Sequence, residues 1–361
     1  MRIGVDGRKI PESAKRGPIG SLAHGKELGM EGLFFRTVLD MSPSLDKGEL
    51  RDIRACADEL GLYLETGLGK VNPYATPEAP ELRAIGDGDI VRGFRRMMEA
   101  CAAIDCRELW VATANYKPAF RGRRAYDRFR TDVSWSEQLA ATQRFLATLA
   151  PIARDLGIHM NIETHEEITS FEIVRLVEAA GPDVTGIVFD TANVLQRGEE
   201  PVFAARRVAP YVRQTHIKDG FLGWGRNGEL DFQMRPCGQG IVAFRAILPI
   251  LAAANPTLNL SIENAESESD RKRGNALIHI EIFEPEWLAG HPDLTIEEYA
   301  AFLEMVQRYE ARIASEGIAS TEVYEGLPFG YAETAAYVKD SARHIRSLCE
   351  DLGLPLERAT P

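Results

Sequence analysis

The sequence predicts an α/β protein, a (β/α)8 TIM barrel with extended loops and an added C-terminal helical segment. Short apolar or β-branched runs alternate with segments of helical period from end to end, the pattern of parallel strands joined by crossover helices. Eight such runs are present, and no domain-sized linker separates them. Alternation of this kind also permits an open doubly wound sheet, but no GxGxxG follows the first run to support a dinucleotide fold.

In order, the strand candidates are RIGVDG (2–7), GLFFRT (32–37), LYLETG (62–67), ELWVATA (108–114), IHMNIETH (158–165), TGIVFDTAN (185–193), VRQTHIKD (212–219) and TLNLSIEN (257–264). Helical patterns lie between them at 45–61, 91–104, 136–157 and 170–181, several closed by a glycine suited to the left-handed position past a helix end. Long loops at 70–85, 115–135, 220–241 and 265–295 exceed a plain barrel. Loops that follow strands gather at the carboxyl face, where barrel enzymes build their sites. Two further helical patterns occupy the tail. The one near 296–315 is expected to close the barrel as its eighth helix and the one near 332–353 to pack across it. The barrel is therefore assigned to 1–317 and a C-terminal helical extension to 318–361.

A chain of 361 residues, 45% hydrophobic and 27% charged, can bury a large core. Its net charge of −12 repels phosphate backbones and argues against general nucleic-acid binding, so a small neutral or cationic partner fits better. The five cysteines are scattered and show no CxxC spacing. That argues against a disulfide framework and a zinc knuckle, and reduced thiols in a cytoplasmic protein are expected. MRIGVDGRKI has no signal-peptide core, and no apolar run approaches the roughly 18 residues of a membrane span, so no membrane association is expected.

The stretch IHMNIETHEE (158–167) places ionisable groups where a strand should be ending in a core. Alternation puts Asn161, Glu163 and His165 on one side and Ile158, Met160 and Ile162 on the other. The apolar set must meet the helices, so the polar set faces the barrel mouth. The eighth run repeats the pattern, with Asn259, Ser261 and Glu263 opposite Leu258, Leu260 and Ile262. Ile187 and Phe189 likewise oppose Asp190, and His216 shares its face with Gln214 and Lys218. Each of the last four runs thus delivers one candidate ligand: Glu163, Asp190, His216 and Glu263. Three carboxylates converging in a low-dielectric mouth would repel one another and lose hydration, a conflict that a divalent cation resolves. Three hard oxygen donors with one imidazole suit one Mn2+, with Mg2+, Co2+ or Fe2+ as alternatives.

The motifs IET with Glu163, FDTAN with Asp190, THIKD with His216 and SIEN with Glu263 resemble the xylose isomerase-like barrel family of sugar isomerases, epimerases and apurinic endonucleases, over roughly residues 1–265. For the ketose epimerases, the resemblance implies that Glu163 and Glu263 also act as the acid/base pair on either side of the substrate. The chain departs from them at Asn193, where those enzymes tend to carry a histidine. The Glu163–His165 pair, with EIFEPEWLAGHPDL (281–294), looks like the larger subunits of bacterial C-glycoside deglycosidases. That likeness implies a Mn2+ enzyme that takes a 3-oxo-glycoside, removes the proton beside the ketone through an enediolate and expels the aglycone by β-elimination. It also implies a small β-sandwich partner subunit, and an oligomer is expected.

Isomerisation, epimerisation and β-elimination share one hard step, removal of a proton from the carbon next to a carbonyl. His165 is assigned that step; the alternatives are a hydrogen bond to a ligand carboxylate, or proton transfer by Glu163 or Glu263. Lys218, Arg235 from the MRPCGQG loop, Asn193 and Asn161 are the candidates for holding substrate, and Asp219 for capping the next turn or holding a ligand. NYKPAFRGRRAYDRFR (115–130) interleaves basic and aromatic residues, as a nucleic-acid track would. Endonucleases of the family use many histidines, however, and here only His165 and His216 fall at strand ends. A lid over an aromatic or phosphorylated substrate, or a subunit contact, is the better reading of that loop. A metal-free binding protein on the same barrel is the third class considered.

Overall fold

The computed structural model describes residues 1–117, 119–263 and 277–357. Its strands are β1 (Arg2–Asp6), β2 (Gly32–Phe34), β3 (Tyr63–Lys70), β4 (Glu108–Ala112), β5 (His159–Glu163), β6 (Thr185–Asp190), β7 (Val212–Ile217), β8 (Asp219–Trp224), β9 (Leu230–Arg235), β10 (Asn259–Ile262) and β11 (Leu277–Ile280). Eight of them close into a parallel barrel in the order β1-β10-β7-β6-β5-β4-β3-β2, and these are the eight runs expected from the sequence.

Side-chain alternation explains the barrel. Ile3, Val5, Leu33, Leu109, Val111, Met160, Ile162, Phe189, Leu260 and Ile262 are fully buried in the layer between strands and helices. Inside, the Tyr63 ring fills the floor so closely that a Cβ at Gly32 would come within 2.0 Å of it. Its hydroxyl meets Ser261 Oγ at 2.8 Å. The Asn161 amide donates to Gln214 Oε1 and Glu108 Oε2 at this depth. Asn161 thus belongs to a polar layer under the mouth, which corrects its assignment to substrate binding. The helices carry the end signals that their sequences announce: Ser134 and Glu137 form a capping box before Trp135–Leu156, and Gly157 ends it at φ 63°.

Two expectations are overturned. VRQTHIKD is not one strand, because β7 stops at Ile217 and the chain turns at Asp219 into β8. β8 and β9 form an antiparallel hairpin, joined by β11 into a separate three-stranded sheet, where the sequence suggested a loop over 220–241. Asp219 secures this departure: its carboxylate accepts from the backbone N–H groups of Gly220, Gly238, Gly240 and Val242 at 2.9–3.0 Å. The roles of the two tail helices are also exchanged. Tyr331–Asp351 packs on β1, β10 and the helix Phe244–Ala254, closing the barrel wall, whereas Ile296–Glu316 packs on β8. The boundary at 317/318 therefore does not follow the packing, since the last barrel helix lies beyond it.

Asn264 of the eighth run, and residues 265–276 of the loop assigned to 265–295, lie outside the described residues. The rest of that segment forms β11 and the short helix Pro285–Ala289, whose buried Trp287 stacks on His291 with ring centroids 3.8 Å apart.

Candidate metal centre

The ends of β5, β6 and β7 and the residue after β10 bring Glu163, Asp190, His216 and Glu263 together, each offering a ligand atom within 4.8 Å of the others. His216 Nδ1 lies 2.9 Å from Glu163 Oε1 and 3.2 Å from Glu263 Oε2, with the Phe34 ring against the imidazole. Asp190 Oδ1 is held by the backbone N–H groups of Ala192 and Asn193. Asp190 Oδ2 and Glu263 Oε2 are buried and accept no well-directed hydrogen bond from the described residues; each lies 2.8 Å from Lys218 Nζ. Three carboxylates and an imidazole, two of whose oxygens still lack a directed donor, fit a hard or borderline divalent cation.

Electrostatics agrees. Burial opposes ionisation of every acid here, and the outcome depends on what faces each one. His216 and His165 outweigh burial at Glu163 and hold it well below the usual carboxylate range. Lys218 and His216 do the same at Glu263, holding it at about 2. At Asp190 burial wins despite Lys218, and the carboxyl is raised to about 6. Burial works against protonated Lys218 as well, but Asp190 and Glu263 outweigh it and raise its pKa well above the ordinary range. Acids and cations keep one another charged, which is the balance that a bound ion would take over.

Trp110, inward on β4, was not singled out by the sequence, yet its indole N–H donates to Glu163 Oε2 at 2.7 Å. Its signal is the alternation of ELWVATA, which sends Leu109 and Val111 outward. Asn193 Nδ2 reaches Glu163 Oε1 at 3.4 Å. His165 stands just beyond the cluster. Its Nδ1 is 2.6 Å from Glu167 Oε2 and its Nε2 is 3.9 Å from Glu163 Oε2, while the Thr113 hydroxyl donates to the other Glu167 oxygen. Burial lowers the His165 pKa, but Glu167, Glu163 and Glu166 outweigh it and lift it to about 10. Glu166 and Glu167, also missed, follow directly in the same stretch.

A cavity of about 240 Å³ opens over the cluster. Lys218, Asn193 and His165 line it, together with Phe34, Trp110, Arg36 and Asn115 from the barrel and Phe232, Met234 and Ile278 from the second sheet. Arg235 does not face it. It lies on β9 with its guanidinium 3.5 Å from the Tyr324 ring centroid and donates to Ala319 O, so its substrate-binding assignment is corrected to packing of the tail. Basic residues of the loop 115–130 are paired with acids: Lys117 with Asp127 of the same loop, Arg123 with Glu281, and buried Arg128 with Glu172. Those pairs disfavour a nucleic-acid track.

Comparison with known proteins places these observations. The family model described as xylose isomerase-like TIM barrel matches residues 22–281. An inosose dehydratase of Bacillus anthracis (strain CDC 684 / NRRL 3495) is 26% identical over 155 residues, 38% of this chain and 48% of that protein, so the match spans less than half of the relative. Among solved structures, a D-psicose 3-epimerase crystallised in the presence of D-fructose is similar over 88% of this chain and 100% of its own, at 20% identity and a TM-score of 0.56. A 3-keto-D-glucoside 4-epimerase from E. coli, in its apo form, is similar over 76% and 97%, at 16% identity and a TM-score of 0.53. These two likenesses show the shared fold.

Proposed function

This chain belongs to the xylose isomerase-like TIM barrel family, and on that premise we propose that it is a divalent-metal-dependent enzyme that removes a proton next to the carbonyl of a keto-sugar or 3-oxo-glycoside, with β-elimination of the aglycone as the outcome. The observation that carries the reading is the position of His165, 3.9 Å from ligand Glu163 with its far nitrogen gripped by Glu167. A divalent cation in the centre, Mn2+ by its donor set, would polarise the carbonyl and make the adjacent C–H acidic. Glu167 fixes the imidazole so that Nε2 faces the cavity, where it can take the proton. A cation held by Glu163 would offset one of the three carboxylates that favour protonated His165. Glu166, whose carboxyl burial raises above its usual range, lines the same cavity and can hand a proton to the departing group. Phe34, Phe232, Met234 and Ile278 offer apolar contact to a flat aglycone. The partial sequence likeness to an inosose dehydratase supports elimination. The reading carries with it a small β-sandwich partner subunit, an oligomeric assembly and a cytoplasmic location.

A second reading, epimerisation or isomerisation of a free ketose, is favoured by the pair Glu163 and Glu263, both of which reach His216 Nδ1, at 2.9 and 3.2 Å. The test is to incubate Mn2+-loaded protein in D2O with a 3-oxo-C-glucoside and with free ketoses, with and without such a partner subunit. Aglycone release is expected, with deuterium at the carbon next to the carbonyl of the recovered substrate. Ketose conversion without release selects the second reading, and neither release, conversion nor exchange with any substrate overturns both.

A further inference from the structure

Two cations beside the cavity have no role in the centre. Arg36, just past β2, lines the cavity; it donates to Asn115 Oδ1 at 3.2 Å and lies 5.0 Å from the Trp110 ring centroid. Lys70, the last residue of β3, is only 5% exposed. Among the described residues no carboxylate forms an ion pair with either. Their neighbours are accounted for otherwise: Arg8 pairs with Asp6, Lys117 with Glu78 and Asp127, His165 with Glu167, and Lys218 with Asp190 and Glu263.

Burying charge without a counter-charge is costly, and the cost is met when a ligand brings the opposite sign. Burial first, and Arg36 next, pull the Lys70 ammonium down to about 8; burial and Arg8 lower Arg36. Carboxylates act on both cations from farther off, Glu78, Glu167 and Asp127 on Lys70 and Glu163, Glu263 and Asp40 on Arg36, without forming an ion pair with either. The indole face and the Asn115 oxygen fix the plane of the guanidinium, and a planar fork of N–H donors matches a carboxylate through two parallel hydrogen bonds.

We propose that Arg36, backed by Lys70, is the subsite for a carboxylate that the substrate carries away from its reacting carbonyl, which makes acidic keto-sugars and 3-oxo-glycosides bearing a carboxylate the substrate class. This rests on the sugar reading above and deepens it.

The test is calorimetric binding to the Mn2+-loaded protein of three probes: D-glucuronate, its methyl ester and glucose 6-phosphate. The acid should bind about tenfold or more tightly than the ester. Arg36→Gln should erase that preference and Lys70→Met reduce it. Equal affinity for acid and ester, including no binding of either, overturns the proposal. So does tighter binding of the phosphate than of the acid, or a preference that survives in Arg36→Gln. The wild-type comparison stands even if a variant fails to fold. Deuterium exchange on neutral substrates without acid preference sinks this inference alone, whereas acid preference without any exchange sinks the sugar-proton reading alone.

Discussion

The Trp110 indole N–H donates to Glu163 Oε2 across 2.7 Å, so an aromatic ring on one stave orients a carboxylate of the candidate metal centre on the next. Partners that orient a ligand typically matter by 10- to 100-fold in metal affinity. Trp110→Phe keeps most of the ring and removes the donor. It should weaken Mn2+ binding by about tenfold or more in calorimetry, with a smaller effect on the melting temperature of the metal-free protein. Unchanged affinity would show that Glu163 needs no such support.

His165→Ala should retain a full complement of Mn2+ by elemental analysis, because none of the four clustered ligand atoms is lost. Turnover and deuterium exchange should fall by about 10²- to 10⁴-fold, the range for losing a positioned proton-transfer group. Metal loss in this variant would instead make His165 a ligand.

Glu65 gives a pH signature in the barrel floor. Burial raises its carboxyl to about 7, against the donors Asn259 and Ser261. Between its ordinary value of 4.5 and about 7 the folded protein keeps a proton that the unfolded chain has released. The stabilisation is therefore complete below the lower value and lost as pH rises through the upper one. Glu65→Gln removes this dependence. In urea unfolding it should gain on the wild type by up to about 3 kcal/mol between pH 5 and pH 8. A constant difference across that range would contradict the assignment.

Deleting residues from 331 onward should abolish cooperative unfolding in circular dichroism, since Val338, Ala342, Ile345 and Cys349 are buried in the main core. A peripheral extension would leave the transition intact.

How much of this was legible depended on which force fixed each feature. The staves were readable because alternation is a local property: Ile162 must be outside if Glu163 is inside. The clustering of Glu163, Asp190, His216 and Glu263 followed from that parity. The helix order was not readable, because 296–316 and 331–351 are both amphipathic and only contact with β1 and β10 decides which one closes the ring. The hairpin hid inside one continuous run, since Asp219 turns the chain through bonds to residues as far on as Val242. Arg235 and Asn161 were misplaced for the same reason, their partners being distant in sequence. Trp110, Glu167 and Arg36 were open to the same parity and loop arguments, but their residue types do not advertise chemistry.

Phe232, Met234 and Ile278 reach the cavity from the appended antiparallel sheet, whereas the candidate ligand side chains sit on the staves. On the proposed reading, recognition of an apolar group and activation of a C–H bond are thus housed in separable parts. Evolution could rewrite the roof, and with it the clientele of the enzyme, while leaving the reactive furnace below untouched.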